Sequence, residues 1–89
     1  MPTVLITGAN RGIGLELSRQ YAASGWEVIA CCRKPKEATQ LAKLKVEIRP
    51  LDVAKPASIA KLATALKGRG IDVLLNNAGF LGRRSGFGK

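Results

Sequence analysis

The stretch from Thr7 to Gly14, with the sequence TGANRGIG, places three glycines directly after a short apolar run. A turn built from Gly8, Gly12 and Gly14 exposes backbone N–H groups, with no Cβ atoms to hold a ligand away. A helix that begins at such a turn adds the partial positive charge of its dipole. These residue types at this spacing therefore indicate phosphate binding. The alternative is a tight strand-to-helix turn that binds nothing.

The glycine spacing is GxxxGxG, whereas the common dinucleotide fingerprint is GxGxxG. The loop is therefore longer, and its middle residues Ala9, Asn10 and Arg11 can reach around a ligand. Three glycines are a weak signal by themselves. The context strengthens it, because a strand precedes the loop, a helix follows it, and a second strand ends roughly twenty residues later.

Four strands and three helices are predicted to position this loop. The strands are Thr3 to Thr7, Glu27 to Cys32, Val46 to Pro50 and Ile71 to Asn76; the helices run from Gly12 to a C-cap at Gly25, from Pro35 to Lys45, and from Pro56 to Gly68 and Gly70. This alternation predicts an α/β fold, with a Rossmann-like parallel sheet and helices on both faces. Right-handed crossovers give strand order 3-2-1-4, with a ligand at the switch point between strands 1 and 4.

Three motifs resemble those of the short-chain dehydrogenase/reductase family, and the resemblance covers the whole chain. They are TGxxxGxG at Thr7 to Gly14, the pair Asp52-Val53 after the third strand, and NNAG at Asn76 to Gly79 after the fourth. Their order and spacing match the family pattern. The resemblance implies a fold that binds a nicotinamide dinucleotide.

The resemblance also implies roles for individual residues. Those expected to line the cofactor phosphates and adenosine ribose are Gly8, Asn10, Arg11, Gly12, Ile13 and Gly14. Those expected to hold the adenine are Leu51, Asp52 and Val53. Asn77, Ala78 and Gly79 are expected beside the ribose, with Asn76 or Asn77 also bracing the fourth strand. The alternatives are a helix-approach role for Asp52 and a simple strand-ending turn for NNAG, and the latter can coexist with cofactor binding.

The end of the second strand decides which nicotinamide cofactor is preferred. An acid there bonds the 2′-hydroxyl of NAD, whereas an arginine accommodates the 2′-phosphate of NADP. Cys32 occupies that end and Arg33 follows it, while Arg11 lies in the glycine loop. We therefore predict NADP as the cofactor. The alternative is that both arginines are ordinary exposed loop residues.

The serine and the Tyr-x-x-x-Lys pair with which the family transfers hydride lie beyond NNAG and are absent here. Tyr21 has Gly25 four positions later and belongs to an apolar helix stripe, and Ser85 has no predicted partner. No catalytic residue is therefore assigned.

We expect the N-terminal portion of a reductase, truncated after the fourth strand, with residues 1–79 as a dinucleotide-binding half-domain and 80–89 as a basic, glycine-rich tail. An intact parent would act on a small carbonyl or alcohol substrate; the alternative is a non-catalytic nucleotide-binding module.

The charge balance raises the possibility of a polyanionic partner. The 89 residues carry a formal net charge of +9, but the basic residues are scattered along the chain. Arg83 and Arg84 form one of the few clusters, and Phe80 and Phe87 are the only aromatic residues near them to stack on bases. Nucleic-acid binding is therefore the less favoured interpretation.

The remaining composition restricts location and assembly. The adjacent Cys31 and Cys32, without histidine, cannot form a zinc site and are expected to be buried and reduced. We see neither a signal peptide nor a membrane segment, so a cytoplasmic location is expected. Val73, Leu74 and Leu75 would border an open sheet edge, which predicts a homo-oligomer.

Overall fold

A computed structural model describes residues 1–77, which contain a four-stranded sheet and two α-helices. The strands are β1 Thr3–Ile6, β2 Glu27–Cys32, β3 Glu47–Pro50 and β4 Val73–Leu75; the helices are α1 Gly12–Ala23 and α2 Pro56–Ala65. All neighbouring strands are parallel, in the order β3-β2-β1-β4. The predicted α/β fold and strand order are confirmed.

The two faces of the sheet bury separate apolar clusters, because successive side chains of a strand point to opposite faces. On one face, Val4, Ile6, Val28 and Ala30 pack with Leu17, Tyr21 and Ala22 of α1. On the other face, Leu5 and Ile29 pack with Leu51 and with Leu62 and Leu66 of α2. The prediction of helices on both faces is therefore confirmed.

The adjacent cysteines at the end of β2 follow the same alternation. Cys32 belongs to the cluster beneath α1, and Cys31 belongs to the cluster beneath α2. Neither cysteine forms a disulfide bond within the described residues, and both are buried, as predicted. Burial raises the pKa of the Cys31 thiol to about 12, so the thiol is neutral at physiological pH.

Helix α1 ends at Ala23 with Ser24 as its C-cap, one residue before the predicted cap at Gly25. Gly25 has φ +87°, a left-handed conformation that glycine adopts without a Cβ penalty. The Trp26 N–H donates to the Tyr21 carbonyl across this turn, and the two rings meet edge to face, with centroids 4.8 Å apart. Tyr21 thus packs against the core, as its position on the apolar stripe predicts.

The predicted helix from Pro35 to Lys45 is wrong. The segment forms two short 3-10 turns, Pro35–Glu37 and Leu41–Lys43, separated by a non-helical Ala38 with ψ +63°. Ala38 and Leu41 are buried as expected, at 3% and 0% exposure. These two apolar anchors are buried without a continuous helix between them, so their burial does not offset the cost of nucleating one.

An ion-pair cluster joins the amino ends of β2 and β3, opposite the glycine loop. The guanidinium of Arg69 donates to Glu27 of β2 and to Glu47 of β3, both at 2.9 Å, and Arg49 donates to Glu47 at 2.7 Å. Hydrogen bonding from Arg69 lowers the pKa of Glu47 below its ordinary value. A lowered carboxyl pKa stabilises the fold above the unfolded-state pKa, and this contribution is lost as the pH falls through the folded-state value.

Neither α-helix among residues 1–77 has the length and apolar character that a membrane crossing requires.

Candidate functional site

The glycine loop between β1 and α1 needs its glycines for two different reasons. Gly8 and Gly12 have φ +59° and +57°, in the left-handed region that favours glycine. A Cβ on Gly12 would meet no atom within 4 Å. A Cβ on Gly14 would lie 2.2 Å from the Gly8 carbonyl oxygen and 2.9 Å from Nδ2 of Asn77. Gly12 therefore provides conformation and open space, while Gly14 allows α1 to pack closely against the loop.

The first turn of α1 offers backbone donors at this loop. Arg11 is the N-cap, with extended backbone angles and no side-chain capping bond. The N–H groups of Gly12, Ile13 and Gly14 have no hydrogen-bond acceptor within residues 1–77, whereas Leu15 N–H donates to the Arg11 carbonyl at 3.2 Å. The first turn also carries no acidic residue. The residues present therefore fit an anion, because free donors meet the positive end of the helix dipole.

Hydrogen bonds connect the end of β4 to the glycine loop. Asn77 Nδ2 donates to the Gly8 carbonyl at 3.1 Å, and the Thr7 hydroxyl donates to Asn76 Oδ1 at 3.2 Å. The Thr7 N–H also donates to the Leu75 carbonyl at 3.1 Å. Both asparagines thus brace β4 against the loop after β1. Ala78 and Gly79, also predicted site residues, lie outside the described residues.

The loop after β3 lies beside the end of β2. The Leu51 N–H donates to the Cys32 carbonyl at 2.8 Å, and the Ala9 N–H donates to the Cys31 carbonyl at 2.9 Å. The end of β2 is therefore bonded on one side to the glycine loop and on the other to the segment predicted to hold adenine.

The residues of the loop after β3 differ in their exposure to solvent. Leu51 is 8% exposed and packs in the core, so the surface of this segment comes mainly from Asp52 and from Val53, which is 41% exposed. Ile13, at the start of α1, is 72% exposed. Val53 and Ile13 are thus exposed apolar side chains near the carboxyl end of the sheet.

The two arginines predicted to read a 2′-phosphate are unpaired within the described residues. Arg11 and Arg33 are exposed, and neither guanidinium group forms an ion pair or hydrogen bond with another residue between 1 and 77. Asn10 is half-buried in the same loop as Arg11. Arg33 follows β2 directly, where Cys32 is 2% exposed. Both guanidinium groups therefore keep their hydrogen-bonding capacity for a ligand.

Two serines act at this site without having been predicted. Ser18, in α1, donates to the Gly14 carbonyl at 2.8 Å, and Ser58, in α2, accepts from the Asp52 N–H at 2.8 Å. The position of Ser58 in the first turn after Pro56 is a signal that could have revealed the second bond, because hydroxyls at helix starts bond nearby backbone groups.

A glycine-rich loop at the switch point of a parallel 3-2-1-4 sheet defines a Rossmann-like α/β protein. The comparison with known families is more specific. The sequence profile described as short chain dehydrogenase matches residues 2–88, and this chain belongs to that family.

Individual relatives agree with this assignment. The chain is 42% identical over 90 residues to (+)-neomenthol dehydrogenase of Arabidopsis thaliana, covering 88% of this chain and 30% of that protein. Its fold is similar to that of menthone neomenthol reductase from Mentha piperita, with a TM-score of 0.76, 37% identity, and coverage of 88% of this chain and 31% of the other.

A Burkholderia multivorans short-chain dehydrogenase/reductase solved with bound NADP also matches, with a TM-score of 0.76, 32% identity, and coverage of 84% of this chain and 35% of the other. The chain thus spans about a third of the length of these relatives.

Proposed function

We propose that this chain is the NADP-binding N-terminal portion of a short-chain dehydrogenase/reductase. The observation that carries the proposal is the glycine loop, where the unbonded N–H groups of Gly12, Ile13 and Gly14 meet the start of α1. A phosphate at that position would satisfy these donors. The full-length protein would interconvert a small carbonyl compound and an alcohol, with the bound nicotinamide cofactor supplying or accepting the hydride.

We propose the residue roles that the family resemblance implies. Gly8, Asn10, Arg11, Gly12, Ile13 and Gly14 would hold the phosphates and adenosine ribose; Leu51, Asp52 and Val53 would hold the adenine; Asn77, Ala78 and Gly79 would lie beside the ribose. Support comes from the hydrogen bonds that join these segments, for the residues within 1–77. The cofactor would thus contact three loops at one edge of the sheet.

The preference for NADP over NAD is supported by the unpaired, exposed guanidinium groups of Arg11 and Arg33 and by the absence of an acid at the end of β2. The Burkholderia multivorans relative with bound NADP adds to that support.

We place the protein in the cytoplasm, a reducing compartment that suits the buried thiols of Cys31 and Cys32.

Titration of the chain with NADP, followed by NMR amide shifts, tests the proposed function. We expect saturable binding, with the largest shifts at Gly12, Ile13 and Gly14, because their N–H groups would gain an acceptor. Random-sequence DNA of equal phosphate concentration is the control and is expected to give small, strongly salt-dependent shifts. Absence of NADP binding by the folded chain would overturn the proposal.

We further propose self-association through β4. Within residues 1–77, β4 pairs only with β1, and its Leu74 is 63% exposed. The other edge strand of this sheet, β3, carries Glu47 and Arg49 and ends at Pro50, all of which discourage pairing. The uncharged edge of β4 is therefore the one that suits a second copy.

Sedimentation of Leu74→Lys tests this assembly. We expect the wild-type chain to form dimers or larger species at micromolar concentration and the variant to shift toward monomer, because a charge would be placed at the pairing edge. Ile59→Lys is the matched control, since Ile59 is 47% exposed on α2 and away from that edge. A monomeric wild-type chain would contradict the proposal.

A further inference from the structure

The Ser58 side chain connects the loop after β3 to the first turn of α2. Ser58 is the third residue of α2, and its hydroxyl oxygen accepts a hydrogen bond from the Asp52 N–H at 2.8 Å in partly buried surroundings. This bond spans six positions and reaches the residue whose carboxylate is proposed to hold the adenine.

Asp52 is held at three of its polar groups. Besides the N–H bond to Ser58, the Asp52 carbonyl accepts from the Lys55 N–H at 3.0 Å, and the carboxylate oxygen Oδ1 accepts from the Ala54 N–H at 3.0 Å. The second carboxylate oxygen, Oδ2, has no hydrogen-bond partner within residues 1–77. One oxygen of a fixed carboxylate is thus left for an external donor.

The hydrogen bond from the Asp52 N–H to Ser58 differs from the contacts that hold the rest of this loop. Leu51 is fixed by its bond to the Cys32 carbonyl and by its burial in the core. The bonds that Asp52 makes to Ala54 and to Lys55, the N-cap of α2, lie within the turn that precedes the helix. Ser58 lies within α2 and is the partner of the Asp52 N–H, so loss of its hydroxyl would loosen Asp52 while leaving Leu51 in place.

We propose that Ser58 is a positioning residue for the adenine end of the cofactor. By fixing the Asp52 peptide, its hydroxyl orients the Asp52 carboxylate toward the exocyclic amino group of adenine, a hydrogen-bond donor. This inference rests on the proposed function, because it requires that NADP binds at the carboxyl end of the sheet. It goes beyond that function by assigning a role in binding to a residue of α2.

The test compares Ser58→Ala, Ser58→Thr and the wild-type chain, titrated with NADP and, separately, with inorganic pyrophosphate. Loss of one such bond is expected to raise the Kd for NADP about three- to tenfold in Ser58→Ala. The Kd for pyrophosphate, which contains no adenine, should stay unchanged. Ser58→Thr keeps the hydroxyl and should restore NADP binding. Ser24→Ala is the matched control, because Ser24 is exposed and its hydroxyl has no partner within residues 1–77.

The outcomes separate this inference from the proposed function. If the wild-type chain binds NADP and Ser58→Ala binds it equally well, the inference is overturned while the proposed function stands. Equal weakening of NADP and pyrophosphate binding would assign Ser58 a merely structural role and also overturn it. If the wild-type chain binds neither ligand, the proposed function itself fails.

Hydrogen exchange in the wild-type chain gives a measurement that does not depend on a folded variant. NADP should slow exchange of the Asp52 N–H several-fold, because a ligand held by the carboxylate makes the opening of the Asp52–Ser58 bond rarer. Pyrophosphate should leave this exchange rate unchanged. An Asp52 exchange rate that is insensitive to saturating NADP would overturn the inference.

Discussion

Replacement of Gly14 by alanine is expected to destabilise the chain and to abolish measurable NADP binding. The added Cβ would lie 2.2 Å from the Gly8 carbonyl oxygen, a backbone atom that cannot move aside alone. Forcing atoms into a well-packed site costs about 1–3 kcal/mol, and each 1 kcal/mol lowers the Tm of a domain of this size by roughly 4–8 °C. Because the shift separates α1 from the glycine loop, the donors at Gly12 and Ile13 also move.

Thermal unfolding by circular dichroism, together with NADP titration below the transition, measures this effect. Gly70→Ala is the control, because a Cβ there meets no atom within 4 Å and Gly70 does not have a positive φ. The Tm and the NADP affinity of Gly12→Ala should lie between those of Gly14→Ala and Gly70→Ala. The φ of +57° at Gly12 is strained for alanine, but a Cβ there would meet no other atom within 4 Å. Helix propensity alone would favour alanine at Gly14 by roughly 0.5–1 kcal/mol, so a stabilised variant would refute the steric explanation.

Arg33→Ala is expected to remove most of the preference for NADP over NAD. Hydrogen bonds between charged groups contribute about 1.5–3 kcal/mol, which corresponds to a loss of roughly ten- to a hundredfold in NADP affinity. NAD lacks the 2′-phosphate, so its affinity should change by less than about twofold, within the ±0.5 kcal/mol typical of surface substitutions. Arg33 makes no ion pair within residues 1–77, so its removal should leave the fold intact.

Calorimetric titration of both cofactors measures this preference. Lys67→Ala is the matched control, because it removes the same charge from an exposed position after α2, at the other end of the sheet. The difference between NADP and NAD should shrink as salt concentration rises, since the guanidinium is exposed and screened. Equal affinity of the wild-type chain for the two cofactors would show that the predicted specificity is wrong.

The sheet could be predicted from the sequence because its signals are local. The β-branched and apolar run before Gly8, the strand EVIACC and the glycines that flank α1 each specify an element within a few residues. The right-handed crossover between parallel strands then determines the strand order. The helix predicted from Pro35 failed because the burial of Ala38 and Leu41 is compatible with both a helix and two 3-10 turns. Whether the helix or the two 3-10 turns form depends on how this segment packs against the sheet.

The sequence predicted where the loops of the candidate site lie in the fold, but it did not predict the hydrogen bonds between them. The motifs place the glycine loop, Asp52 and the NNAG run after three strands, and parallel order brings those strand ends to one edge. The contact of Asn77 with the Gly8 carbonyl and that of Ser58 with the Asp52 N–H depend on register and helix placement. No spacing rule in one sequence specifies these.

The burial of adjacent cysteines on opposite sides of β2 gives the chain a pair of natural probes. Cys31 is covered by the α2 layer and Cys32 by the α1 layer, so an alkylating reagent can reach each sulfur only after its own layer has lifted. Comparing the two modification rates in one peptide fragment therefore distinguishes a molecule that opens on one side from a molecule that unfolds at once, without any engineered label.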